Sequence, residues 1–172
     1  VCGCLERHRL VWEFFRRRTE LLGACPKRML HVAPEAALQS RLRRIAQLDY
    51  VTADLADPAA MIRMDLANIQ FPDDSFDVIY CSHVLEHVAD DRRAMRELRR
   101  VLAPGGWAVI QVPTVGLETL EAPSVTDPAE RKRVFGQRDH VRRYGADIVA
   151  RLTEAGFAVD ALTTRDVVGT ED

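Results

Sequence analysis

The stretch from Phe71 to Val88, FPDDSFDVIYCSHVLEHV, constrains this chain more than any other. Pro72 with Asp73 and Asp74 makes a solvated turn, and Phe76 to Tyr80 is an apolar, β-favouring run that reads as a short buried strand. Directly after it come Cys81, Ser82, His83, Glu86 and His87, five reactive or polar groups within seven positions. In open α/β sheets, ligands bind outside the carboxyl ends of the strands. A polar cluster where such a strand must end is therefore the place to look for function.

The rest of the chain repeats that strand-to-helix logic. Residues 5 to 22 read as a helix with Leu10, Val11, Phe14 and Phe15 in its apolar stripe, punctuated by Gly23 and Pro26. Arg28–Val32 is the first strand, Ala33-Pro34-Glu35 the turn after it, and Leu38, Leu42 and Ile45 mark one face of the next helix. Asp49–Asp54 and Ile62–Leu66 are the second and third strands. Asp90 or Asp91 caps a helix running to Leu102, and Trp107–Val112 is a fifth strand after Pro104-Gly105-Gly106. Strand and helix alternating in this order predict a parallel, doubly wound α/β sheet with helices on both faces. Residues 113 to 144 form a long connection with its own helix, signalled by Asp127-Pro128-Ala129-Glu130. Leaving the carboxyl end of strand five, it is placed to cover the cleft. A helix through Ile148, Val149 and Leu152 and a sixth strand over Phe157–Thr163 complete the expected elements.

Together with Arg99-Arg100-Val101-Leu102-Ala103-Pro104-Gly105-Gly106, the 71–88 stretch resembles the strand-four to strand-five segment of class I S-adenosylmethionine-dependent methyltransferases, of the methyltransferase type 11 kind. The likeness covers roughly residues 28 to 163. It implies a Rossmann-like fold, S-adenosylmethionine as cofactor, and a division into an N-terminal helical extension (1–27) and a methyltransferase-like domain (28–172). The family's sheet usually closes with an antiparallel seventh strand; no segment after Asp166 supplies one, and the chain opens on Val1, so both ends are expected to be cut short.

One departure matters. The family's Gly-rich turn is replaced here, with Ala33 and Glu35 where its first two glycines belong. Ala is the smallest replacement and Pro34 fixes a turn, so cofactor access is still expected. The resemblance then assigns cofactor contacts to His31, Ala33, Pro34, Glu35, Asp54, Asp65, Leu66, Ser82 and His83. Glu35 would pair with the methionine ammonium in place of an acid missing at His31. Asp54, 19 positions after Glu35, stands where a strand-end acid reaches ribose hydroxyls. Asp65 and Leu66 match the positions that meet adenine. His87 and His140 are the candidates for acceptor positioning or proton removal. Arg138, Arg142 and Arg143 near His140 suggest an anionic small-molecule acceptor, although a solvated face explains them nearly as well.

Other chemistries fit less well. His83-Val84-Leu85-Glu86-His87 spells HxxEH, but that zinc-protease signature belongs on a long helix, not after an apolar strand. A divalent ion held by Glu86 and His87 stays open on the residues alone, and no metal ligand is assigned. Cys2-Gly3-Cys4 is CxC rather than the CxxC pair of structural zinc sites. Cys81 has no accompanying triad and reads as a small buried residue. A net charge of −2 gives no field for nucleic acid, and no apolar run is long enough for a membrane span. Four cysteines in 172 residues fit a reducing cytoplasm. The rival to an enzyme is a degenerate fold acting as a binding or scaffold protein. Neither the acceptor nor the oligomeric state is written in the sequence.

Overall fold

The computed structural model describes residues 5–168; the Cys2-Gly3-Cys4 reading lies outside them. β1 (Lys27–Val32), β2 (Leu48–Asp54), β3 (Ile62–Arg63), β4 (Phe76–Ser82) and β5 (Leu102–Gln111) form, among the described residues, one five-stranded sheet in the order β3-β2-β1-β4-β5. Every pairing is parallel. The central strands are apolar at successive positions because both faces of the sheet are covered. Met29, Tyr50, Val78 and Tyr80 face one core, with Leu38 and Leu42 of α2 (Ala36–Leu42) and Val11 and Phe15 of α1 (Glu6–Arg18). Their neighbours Leu30, Val32, Val51, Ile79 and Cys81 face the other core. That side is closed by Ala94, Met95, Leu98 and Val101 of α3 (Asp91–Val101) and Ile148 and Leu152 of α5 (Ile148–Glu154).

The local signals act as their chemistry requires. Asp90 caps α3 by accepting from the Arg93 N–H at 2.9 Å. Asp127 caps α4 (Pro128–Phe135) with two bonds, from Ala129 and Glu130, both 2.9 Å. Pro104-Gly105-Gly106 does not precede β5 but bulges inside it, since the register jumps from Phe76↔Leu102 to Val78↔Trp107. Gly106 is required there: a Cβ would lie 2.7 Å from the Asp77 carbonyl oxygen.

Three expectations are corrected. The first helix ends at Arg18, where the Thr19 hydroxyl donates to the Phe15 carbonyl at 2.8 Å. The third strand keeps only Ile62 and Arg63, because Asp65 turns the chain by accepting from the Ala67 N–H. The sixth strand does not form: residues 157–163 carry β-favouring letters but pair with no strand among the described residues. Instead Phe157 N–H donates to Leu152 at the end of α5, and Thr163 is held by the Asp166 carboxylate at the start of α6 (Thr164–Val168). A small antiparallel ribbon, β6 (Leu120–Glu121) with β7 (Arg142–Arg143), ties the two ends of the 113–144 connection together. None of the described helices is long and apolar enough to cross a membrane.

Candidate active site

From β1 the chain turns outward to β2 and β3, and from β4 it turns the other way to β5. The carboxyl ends of β1 and β4 are thus the point where the winding reverses, which is where open α/β sheets hold their ligands. Both strands run into a residue in the left-handed region: Ala33 (φ 49°) after β1 and His83 (φ 55°) after β4. The Ala33 N–H still donates to Ala53 at 2.8 Å and the His83 N–H to Gln111 at 2.9 Å, so each strand bends sharply while its ladder holds. For residues with a Cβ that conformation costs about 1–2 kcal/mol each. Ala33 therefore adopts the backbone shape that a glycine would adopt without strain.

Behind the first bend lies a closed polar cluster. His31, fully buried, accepts the Tyr50 hydroxyl at Nδ1 (2.6 Å) and donates from Nε2 to Glu35 Oε2 (2.9 Å). Burial holds the imidazole below its ordinary range, so it is neutral and this tautomer is the consistent one. Burial alone would raise the Glu35 carboxyl, but the hydrogen bond from His31 Nε2 and one from the backbone favour the carboxylate, and the net direction is down. The other Glu35 oxygen is loosely held, 3.5 Å from the Tyr80 hydroxyl and 3.7 Å from His8 Nε2 of α1. Tyr80 also donates to Gln111 Oε1 at 3.1 Å. Glu35 thus faces inward, committed on one side, rather than standing free. The Ser82 hydroxyl and His8 Nε2 are buried with no hydrogen-bond partner among the described residues. His8, Tyr50, Tyr80 and Gln111 are contributors that sequence reasoning missed. The alternation of Tyr80 with Val78 on one sheet face was their one legible signal.

The two acids stand farther along the same rim. At the end of β2, Asp54 Oδ1 accepts from the Ala56 and Asp57 N–H groups, both at 2.7 Å. That fixes the carboxylate while its Oδ2 has no partner among the described residues. Asp65 is exposed and turn-bound through Oδ1, and Leu66 beside it is buried.

Residues 83–89 are a turn, not the start of a helix, which removes the long-helix setting an HxxEH protease needs. Glu86, 1% exposed, points inward, and His83 Nδ1 lies 3.3 Å from its Oε1. His140, from the covering connection, reaches this turn: its ring meets His87 edge-on with centroids 4.7 Å apart. Burial and the neighbouring His87 hold His140 below its ordinary range. Thus the structure brings together His83, Glu86, His87 and His140, and places Asp139 3.3 Å from His87. Cys81 is fully enclosed and burial pushes its thiol up, so it is no nucleophile.

Arg142 is not available to an anionic ligand. Only 4% exposed, it donates to the Leu85 and Ala89 carbonyls (both 2.8 Å), to Val88, and to Glu121 (3.0 Å), and it faces Asp91 at 3.5 Å. With the Val141 N–H on the Glu86 carbonyl (2.9 Å), it clamps the covering connection to the turn. Arg143 reaches the Val134 carbonyl, and Arg138 is solvated.

Residues 22–110 match the family model described as a methyltransferase domain. A malonyl-[acyl-carrier protein] O-methyltransferase of Halorhodospira halophila is 30% identical over 159 residues, covering 81% of this chain and 51% of that protein. The chain thus spans about half the length of that curated relative. Among solved structures, an S-adenosylmethionine-dependent methyltransferase of Mesorhizobium loti aligns with a TM-score of 0.59 at 21% identity, over 88% of this chain and 83% of its own. Phosphoethanolamine N-methyltransferase 2 of Haemonchus contortus, in complex with S-adenosyl-L-methionine, aligns with a TM-score of 0.62 at 18% identity, over 87% and 36% respectively. At these identities the structural likenesses speak for the fold.

Proposed function

The chain belongs to the class I S-adenosylmethionine-dependent methyltransferases, and from that membership we propose that it transfers the cofactor's methyl group to a small-molecule acceptor beneath the 113–144 connection. The observation that carries this reading is the pair of left-handed bends at Ala33 and His83, side by side where the winding reverses.

The residues present fit the cofactor. Ala33 and Pro34 keep the bend a backbone-binding turn needs, and the Ser82 hydroxyl at the end of β4 and His8 Nε2 beside Glu35 are buried polar atoms without a hydrogen-bond partner among the described residues, suited to a polar ligand. Asp54 offers its second oxygen to ribose hydroxyls, with Asp65 and Leu66 at the adenine and Glu35, Ser82 and His83 at the methionine end; His31, fully buried with both ring nitrogens engaged, does not touch the cofactor as its position in the sequence suggests but orients Glu35. When bound, S-adenosylmethionine supplies an electrophilic methyl group on a sulfonium. The chain's own work is alignment and exclusion of water. The covering connection closes the acceptor side, His87 orients the acceptor, and the neutral His140 imidazole accepts a proton where the acceptor must lose one.

Titration calorimetry with S-adenosylmethionine and S-adenosylhomocysteine, on the full-length protein and on Asp54→Ala, tests this. Micromolar binding that the variant loses is expected. Absence of binding by the folded wild type would refute it. The scaffold reading would then gain, since one Glu35 oxygen is already taken by His31.

A further inference from the structure

Glu86 stands out among the described residues. It is 1% exposed, and both carboxylate oxygens are buried without a hydrogen bond among the described residues. His83 stands 3.3 Å from Oε1, yet outside hydrogen-bonding geometry. A buried carboxylate left in that state costs several kcal/mol unless a cation or a proton answers it. What surrounds it are donors with lone pairs: one ligand atom each from Glu86, His87 and His140 lie within 4.8 Å of one another.

From this geometry we infer a divalent transition-metal site formed by Glu86, His87 and His140. Two imidazoles and one carboxylate suit Zn²⁺, Co²⁺, Fe²⁺ or Mn²⁺, and are a poor set for Mg²⁺ or Ca²⁺, which prefer all-oxygen shells. Tetrahedral ligand bonds of about 2.0–2.2 Å bring donors to about 3.3–3.6 Å of each other, so side-chain rotations that move the donor atoms by about an ångström close the present arrangement. The surroundings are already those of a metal site. The exposed Asp139 carboxylate is 3.3 Å from His87 Nδ1, leaving Nε2 for an ion, and such a carboxylate partner orients a ligating histidine. The Val141 N–H on the Glu86 carbonyl and the Arg142 clamp fix the turn that carries Glu86 and His87 against the segment that carries His140. His83, 37% exposed, borders the site as a hydrogen-bond partner to a bound water or acceptor.

Three protein ligands leave a coordination position open. The side chain of His87 is 34% exposed, so that position is reachable from solvent. Taken with the methyltransferase reading, on which this step alone rests, the open position receives an oxygen donor of the acceptor, a hydroxyl or enol. The ion then favours loss of that oxygen's proton to solvent water at the exposed His87 edge; the oxygen bonds the methyl carbon as the carbon–sulfur bond breaks and S-adenosylhomocysteine leaves, while the His140 lone pair serves the ion rather than the proton.

Metal-stripped protein titrated with Zn²⁺, Co²⁺ and Mg²⁺ by calorimetry, followed by absorption spectra of the Co²⁺ form, tests the site without any activity assay. One equivalent of Zn²⁺ or Co²⁺ is expected, Mg²⁺ much weaker, with cobalt d–d bands and no thiolate charge-transfer band. Glu86→Gln and His140→Ala, each checked for folding by circular dichroism, should each weaken binding by about 100-fold or more. Cofactor affinity should stay unchanged in Glu86→Gln, which separates failure of this site from failure of the methyltransferase reading. No binding by folded wild type, binding undiminished in both variants, or a thiolate band that survives them would overturn the proposal.

Discussion

Replacing Arg142 by Ala should cost about 3–5 kcal/mol of stability, the range for removing one partner of a buried charge pair. The side chain donates to three backbone carbonyls and to Glu121, and lies beside Asp91. Each bond to a charged group is worth about 1.5–3 kcal/mol, so simple addition over four bonds would exceed the total stability of many domains. Water repays part of the loss, because Glu121 is 41% exposed. The Leu85 carbonyl and the buried Asp91 carboxylate are the uncompensated remainder, although Asp91 keeps Arg151 at 3.1 Å and the Tyr144 hydroxyl at 2.6 Å. Urea unfolding followed by the fluorescence of Trp12 and Trp107 measures the change, and the midpoint of thermal unfolding should fall by roughly 6–20 °C. Arg142→Lys should lose about half as much, since an ammonium cannot fan across three carbonyls. Arg138→Ala, on the solvated face, should stay within about 0.5 kcal/mol of wild type. An Arg142→Ala protein within 1 kcal/mol of wild type, with an unchanged denaturant slope, would refute the clamp.

Ala33→Gly should be stabilising by up to about 1 kcal/mol, the relief of left-handed strain less the extra entropy of an unfolded glycine, read as a higher urea midpoint. Acidification from pH 7 should lower the thermal midpoint. His31 in the folded chain lies below the ordinary value of about 6.5, so the unfolded chain takes the proton first and stability present above that pH is lost as pH falls through it. His140 adds to the slope with the same sign and Glu35 follows at lower pH. His31→Gln should flatten the decline between pH 7 and 5, and an unaltered slope would exclude His31 as its source.

Strands β1, β2 and β4 were legible to within two residues because burial on both sheet faces demands uninterrupted apolar letters there. The α4 start was equally legible, since Asp127, Pro128 and Glu130 each satisfy a local requirement of a helix terminus. What failed depended on partners remote in sequence. Phe157–Thr163 had strand letters but no strand to pair with, while the two-residue β6 and β7 had no letters to announce them. In the site, His87 and His140 could be suspected singly, but their meeting required the Arg142 clamp. Arg142 itself was misread, because an arginine run looks the same whether its guanidinium faces water or three carbonyls. The inward turn of Glu35 was hidden likewise, since its partners His31, Tyr80 and His8 come from three separate elements.

The adjacency of β1 and β4 also governs how the molecule comes into being. Their register sets Met29 opposite Val78, and the Arg28 N–H to Asp77 bond at 2.7 Å already spans 49 positions. The middle of the sheet is therefore its most non-local pairing, and the entropy of closing so long a loop comes due before that contact returns anything. During synthesis the first strand must wait, apolar on both sides, until the fourth has emerged. Folding of this chain is thus expected to be slow for its size, and mutations in β1 or β4 should slow refolding more than those in α4.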